Sequence, residues 1–194
     1  MTEKEKLAAG QWYDPGDHAE LSARRRFAQR KCFDFNHTDP EDHEEQRRIL
    51  NELLGSYADT ATIMPGFICD YGWNIHMGEG SFINFNAYLM DCAPITLGSN
   101  VFIGPYCGMY TAIHPLLPVE RNTCLERAAP ITIGDDCWLG GSVTICPGVT
   151  IGAGTVIGAG SVVTRDIPAG VVAVGNPCRP LRELTDADRM FDGQ

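Results

Sequence analysis

Residues 131–165 read ITIGDDCWLGGSVTICPGVTIGAGTVIGAGSVVTR. Ile133, Leu139, Ile145, Ile151, Ile157 and Val163 recur there every six residues, and the same beat takes in Leu97, Ile103 and Met109 upstream. Gly follows the aliphatic residue in six of these nine slots. Val, Ile, Leu and Met together number 43 of 194 residues, so nine hits in nine slots are not a by-product of composition. Six is the period of neither an α-helix nor an alternating strand. It suits a short strand followed by a tight corner, three of which close one triangular coil of eighteen residues. Residues 133–150 then make one coil and 151–168 the next. Coils stacked about 4.8 Å apart put the aliphatic side chains in inward ladders, each residue contributing ~1.5–3 kcal/mol when fully buried. Gly is expected at the corners for its backbone freedom. An Asp at Ile151 should therefore be ruinous, and an Asp at the corner residue Gly152 should meet solvent at little cost.

The beat also runs backward through Met77, Ile83, Leu89 and Ile95, with a two-residue slip around Asp91–Pro94, which places the start of the coil axis near residue 65. Met109 and Ile133 lie 24 residues apart, four times six. The segment YTAIHPLLPVERNTCLERAAP (110–130) is therefore an excursion that leaves the coil and rejoins it in register, and long excursions from a rigid scaffold are where function concentrates. Residues 1–60 are charged and helical in pattern. Thr2-x-x-Glu5 and Asp17-x-x-Glu20 have capping-box spacing or its Asp analogue. Asp39-Pro40 offers an N-cap and a Pro at N1 for a helix with Ile49, Leu50, Leu53 and Leu54 on one stripe, stopping at Gly55. The expected organisation is one domain: a helical cap (1–60) over the open start of the coil, where it shields a sheet edge, the β-coil (61–180), and a tail (181–194) in which Thr185-x-x-Asp188 forecasts a closing helix.

The net charge of −10 and pI near 4.8 disfavour nucleic acid and an anionic membrane as partners. The first residues, MTEKEKLAAG, hold no apolar signal core, and no stretch approaches the ~18 apolar residues of a membrane span, so a cytoplasmic protein is expected. Eight cysteines (32, 69, 92, 107, 124, 137, 146, 178) are scattered without a CxxC pair and read as reduced thiols, several filling coil positions as small hydrophobes.

His114 lies in TAIHP, within the excursion and just before a stiffening Pro. An imidazole, whose unperturbed pKa lies near working pH, suits a general base. His76 alternates along a coil strand and reads as structural; His18, His37 and His43 fall in the cap and read as solvated surface. A zinc enzyme of the γ-carbonic-anhydrase type uses such a coil but needs three His ligands. Only His76 and His114 lie in the coil region, so no metal is expected. A non-catalytic stack of hexapeptides would need neither His114 nor a cluster of arginines.

The hexapeptide coil, EKEKLAAGQWY, FICDYGWNIHMG, Asn84-Phe85, TAIHP, the run from Ile131 to Gly170 and the closing GNPCR together resemble the maltose/galactoside O-acetyltransferase family over nearly the whole chain. The resemblance implies a left-handed parallel β-helix, a homotrimer with each site shared between two subunits, and acetyl transfer from acetyl-CoA to a sugar hydroxyl. It makes His114 the base, and places Asp70, Asn84 and Asp91 in the acceptor pocket, where corner residues of the coil are the alternative reading. Asp17 matches a sugar-contacting acid, although its N-cap role explains it equally well; Glu126 is a candidate to orient His114. For CoA the resemblance implies Gly141, Ala159, Thr164, Arg165, Arg179 and Arg182, with Trp138 as a wall or as packing. The chain departs from the galactoside branch at Asp70, where that branch carries Ser, and at Asp91-Cys92, where it has two acids. Both changes lean toward maltose- or glucose-type acceptors and leave galactoside and nodulation-factor-like oligosaccharide acceptors as alternatives.

Overall fold

A computed structural model describes residues 1–16 and 19–191. From Ser56 the chain winds as a left-handed parallel β-helix with three faces. The first face stacks Ser56–Tyr57, Ile75–Met77, Ile95–Leu97, Ile131–Ile133 and Thr150–Ile151; the second begins at Thr62–Ile63 and the third at Ile68–Cys69. The six-residue slots are the ladders: Leu97 pairs with Ile133 and Ile133 with Ile151 on the first face. Ile103, Leu139 and Ile157 follow on the second face, and Met109, Ile145 and Val163 on the third. All nine side chains are buried. Because each slot is filled by a branched or long aliphatic group, every coil extends the core of the one before it. Cys69, Cys107 and Cys137 point into the same interior.

Strand pairing starts at Ser56–Tyr57, ahead of the start near residue 65 that the beat suggests. The first coil hides its period: Tyr57 and Cys69 stand where later coils have aliphatic residues, and eight residues, not six, separate Cys69 from its successor Met77. The glycines that follow the inward residue also have a different cause from the one expected. A Cβ on Gly152 would come within 2.7 Å of Ala169 Cα, and one on Gly140 within 2.9 Å of Ala159 Cα. Backbone of the next coil lies directly over them, so close approach and not unusual φ demands Gly, and Gly152 is no open corner.

Three helices form the cap: α1 (Glu3–Ala8), α2 (Ala19–His37) and α3 (His43–Leu53). The Thr2/Glu5 capping box closes on α1. Helix α3 begins at His43, not at Pro40, because Asp42 caps it through Glu45 N at 3.0 Å while Asp39 makes its own turn to Glu41 N at 2.9 Å. Ile49, Leu50, Leu53 and Leu54 are buried against the first coil. The tail opens as a strand, Arg179–Glu183 lying antiparallel on Val171–Val174, and the capping box expected at Thr185-x-x-Asp188 is present but closes only a single 3-10 turn, Asp186–Asp188. Pairing the last parallel strand satisfies backbone groups that would otherwise form an open edge.

One corner is special. Between the third face and the first, Cys69 to Met77 and Leu89 to Leu97 each take eight residues, Met109 to Ile133 takes 24, and Ile145 to Ile151 returns to six. Two short insertions and the excursion are thus stacked on successive coils at a single corner.

Candidate functional site

The excursion leaves this corner as a short hairpin, Ala112–Ile113 against Arg127–Ala128. Its root is fixed by buried Thr111, whose hydroxyl donates to Met90 O at 2.6 Å and accepts from Ala93 N at 3.0 Å. His114 follows the first hairpin strand with its side chain 53 % exposed, and its Nε2 lies 3.7 Å from Glu126 Oε2 on the returning limb. Glu126 is buried and held twice by Tyr13: the two backbones exchange hydrogen bonds of 2.8 and 3.0 Å, and the Tyr13 phenol donates to Glu126 Oε1. Burial, then Cys92 and Glu126, push the Tyr13 phenol far above its ordinary pKa, so it stays a donor. His114 therefore faces a carboxylate whose position is set from the N-terminal segment. Beneath it, Trp12, Ile113, Pro115, Leu116 and Leu117 help line an apolar cleft of about 670 Å³.

Below the hairpin, the inserted residues make a second polar group. Tyr88 OH donates to Asp70 Oδ1 at 2.6 Å, and Cys92 Sγ lies 3.9 Å from Asp70 Oδ2. Arg25 from α2 donates to the Tyr71 hydroxyl at 2.7 Å, and its Nε is buried without a protein partner. Asp70 keeps a half-buried carboxylate at the corner. Asp91 does not line an open pocket. It is fully buried, and its carboxylate accepts from Asp70 N at 3.0 Å, Tyr71 N at 2.8 Å and Asn74 N at 3.3 Å, tying one inserted corner to the next. The residue of that corner that meets Asp70 is Cys92.

Burial pushes the Asp91 carboxyl up to about 7 against the opposing pull of backbone amides, those of Tyr71 and Asn74 foremost, with the neighbouring Asp70 charge adding to the rise. A raised pKa means that the folded chain holds this proton more tightly than the unfolded chain. The contribution is full below the ordinary value of 3.8 and is lost as pH rises through about 7. Thermal stability should therefore fall as pH rises from about 4 to about 7, by up to ~4 kcal/mol over the whole interval. Asp91→Asn, which keeps the oxygen facing Asp70 N and Tyr71 N, should flatten that slope in a melting series. An unchanged slope would assign it elsewhere.

The remaining sequence-derived residues divide between two corners. Thr164 and Arg165 are exposed on the same corner as Asp70 and His114, two coils past the excursion. Asn84, Gly141 and Ala159 stand on the corner between the second and third faces. Trp138 is 57 % exposed on the outside of the second face, in a row with Phe82 and Phe102 below it and Val156, Val172 and Arg182 beyond. Arg179 and Arg182, three apart in a strand, would ordinarily face opposite sides. A bulge at Leu181 puts them opposite Val174 and Val172, both on the outer side, although Arg182 is bidentate to Asp188 at 2.8 and 2.7 Å. Asp17, and His18 beside it, lie outside the described residues. His37 and His43 are exposed; His76 meets Ser56 Oγ at 3.0 Å through Nδ1. Among the described residues no group of three or more His, Cys, Asp or Glu is placed to hold a metal ion, and no helix is long and apolar enough to cross a membrane.

Tyr13, Tyr88, Arg25 and Cys92 join the candidate site through these contacts and were not singled out as site residues by sequence reasoning. Cys92 left a signal in the departure at Asp91-Cys92, and Tyr88 left one as an outward aromatic in the third-face slot pattern.

Residues 6–58 match the maltose acetyltransferase hexapeptide capping motif, and residues 130–165 match the bacterial transferase hexapeptide repeats. A Staphylococcus haemolyticus protein named only as an acetyltransferase is 50 % identical over 97 % of this chain and 98 % of its own length. The crystal structure of a maltose O-acetyltransferase from Clostridium difficile superposes with a TM-score of 0.93 at 42 % identity, covering 96 % of this chain and 99 % of that one. A hexapeptide-repeat acetyltransferase from Vibrio cholerae, solved with acetyl-CoA, gives 0.89 at 40 % identity over 96 % of this chain and 100 % of that one.

Proposed function

The chain belongs to the hexapeptide-repeat acetyltransferases that carry the maltose acetyltransferase capping motif, and from that footing we propose that it moves the acetyl group of acetyl-CoA to a hydroxyl of a maltose- or glucose-type sugar, with His114 as general base. The observation that carries this reading is the anchored pair: an exposed imidazole 3.7 Å from Glu126, which Tyr13 holds in place, on a hairpin beside the Asp70–Tyr88 group. His114 takes the proton of the acceptor hydroxyl as that oxygen attacks the thioester carbonyl. Collapse of the tetrahedral adduct breaks the C–S bond, and the departing CoA sulfur receives the proton from the imidazolium. Glu126 faces the positive charge that forms on His114 in between. Asp70, with Tyr88 donating to it, offers acceptor oxygens for sugar hydroxyls. Arg179, Arg182 and Arg165 supply the local positive charge that a polyanionic CoA needs in a chain of net charge −10.

The division of residues between two corners supports a homotrimer. His114, Thr164 and Arg165 lie on one corner of the prism, and Asn84, Gly141 and Ala159 lie on another across the third face. A ring of copies sets the first corner of one against the second corner of its neighbour, so that the hairpin base reaches a cofactor laid along the next subunit. Leu116, Leu117 and Val119 at the hairpin tip, and Phe102 and Trp138 on the second face, are exposed apolar groups available to such a contact. Light scattering should give three copies per particle. His114→Ala and Gly141→Arg should each be inactive alone, and refolding a mixture should return activity, because some mixed interfaces carry both intact corners. Absence of recovery, or full activity from a monomer at nanomolar concentration, contradicts the shared site.

A further inference from the structure

The corner between the second and third faces holds one residue of left-handed φ in each of five coils: Gly66 (84°), Asn86 (62°), Tyr106 (60°), Ser142 (59°) and Gly160 (71°). Gly takes this region freely, and the small polar Asn and Ser take it with modest strain. Tyr106 alone is bulky, and a bulky residue there is strained. Its ring does not offset the strain by burial, being 66 % exposed. The corner bond from its backbone N–H to Phe85 O, 2.9 Å long, is one that any residue but Pro would make. Among the described residues no burial or side-chain bond offsets a Tyr at this position, which directs attention to what lies outside the chain.

Its surroundings indicate what. Asn84-Phe85-Asn86 lies one coil below Gly104-Pro105-Tyr106, and Gly140-Gly141-Ser142 one coil above. Tyr106 thus stands between Asn86 and Ser142, with Asn84 and Gly141 on the same edge and Phe85 one coil below it 45 % exposed. The edge borders the outer side of the third face, where Tyr88 and Tyr110 meet edge-on with ring centroids 5.8 Å apart and Tyr88 donates to Asp70. Gly108 leaves room there for the Tyr110 ring, which a Cβ would meet at 2.6 Å. Two exposed aromatic rings with an amide on one edge, facing across the third face a phenol and a carboxylate, match a pyranose, which has an apolar C–H face and a rim of hydroxyls.

We propose that Tyr106 is a specificity-determining platform for the acceptor: the sugar ring stacks on its exposed face while Asn84 on the same edge takes a hydroxyl. This rests on the sugar-acceptor reading above and adds a residue and a mode of binding to it. The strain has a readable consequence. Tyr106→Asn should raise Tm by about 2–4 °C, because Asn already serves this column at Asn86, and should raise the maltose KM at least about tenfold while acetyl-CoA KM stays within about twofold. Tyr106→Phe, which keeps the ring and the strain, should leave both Tm and maltose KM near wild type. The platform is overturned if Tyr106→Asn leaves the maltose KM unchanged, if it weakens acetyl-CoA instead, or if it gains no stability. Calorimetric titration with maltose, without acetyl-CoA, separates this from the reaction. Sugar binding weakened by Tyr106→Asn in a protein that acetylates no sugar would retain the platform and remove the transferase reading; a wild-type protein that binds none of maltose, glucose or a galactoside would remove the platform.

Discussion

Replacing His114 with Ala is expected to lower kcat for acetyl transfer by about 10²–10⁴-fold, the range of a positioned general base, with a melting temperature close to wild type. The separation of the two readouts follows from where the side chain sits. It is half exposed on a hairpin outside the coil, and the partner it faces, Glu126, retains its Tyr13 contacts when the imidazole is removed. No ladder residue is disturbed. The loss should appear in kcat with little change in the KM of either substrate, because the proton transfer is made in the transition state and not in binding. Glu126→Gln should give a smaller loss, since it keeps the Tyr13 contact but removes the negative charge facing the imidazolium. Steady-state thiol release measures both. Turnover retained in His114→Ala would take this residue out of the mechanism.

Ile151→Asp is expected to cost well over ~3 kcal/mol and to leave little folded protein. Ile151 is 0 % exposed, stacked above Ile133 in the first-face ladder, and its neighbours inside the coil are aliphatic. A carboxylate there has no donor to meet and no route to water, and the lost methyl groups remove packing from the coils above and below. Ala153→Asp is the proper control: it is exposed two residues along, at the next corner. Gly152→Asp would fail for a different reason, the overlap of any Cβ with Ala169. Denaturant titration of Ile151→Asp and Ala153→Asp should separate them by several kcal/mol; equal tolerance would contradict the inward register.

What could be read from sequence was what repeats. The spacing of Leu97, Ile103 and Met109 carried the coil, and the 24 residues from Met109 to Ile133 marked the excursion, although the ladders themselves admit other lengths at this corner, Cys69 to Met77 and Leu89 to Leu97 each taking eight residues. His114 stood out because it was alone on that excursion. The period lapsed where other forces decided. Tyr57 and Cys69 fill inward positions of the first coil beneath the helical cap, and the bulge at Leu181 that aligns Arg179 with Arg182 follows from edge pairing, which no local pattern records. Asp91 and Cys92 illustrate a limit of a different kind: adjacent residues on an inserted corner point opposite ways, one into backbone amides and the other toward Asp70, and only the fold distinguishes them. Tyr13 reaches Glu126 from 113 residues away, a contact beyond any sequence window.

The most direct test of the transferase reading is CoA thiol release by the purified protein with acetyl-CoA, measured with and without each of a panel of mono- and disaccharides, with mass analysis of the sugar. The expected result is thiol release that depends on the sugar, is strongest with maltose or glucose, and is matched mole for mole by acetylated sugar. Thiol release at the same rate without any sugar, or none with any member of the panel, would contradict it.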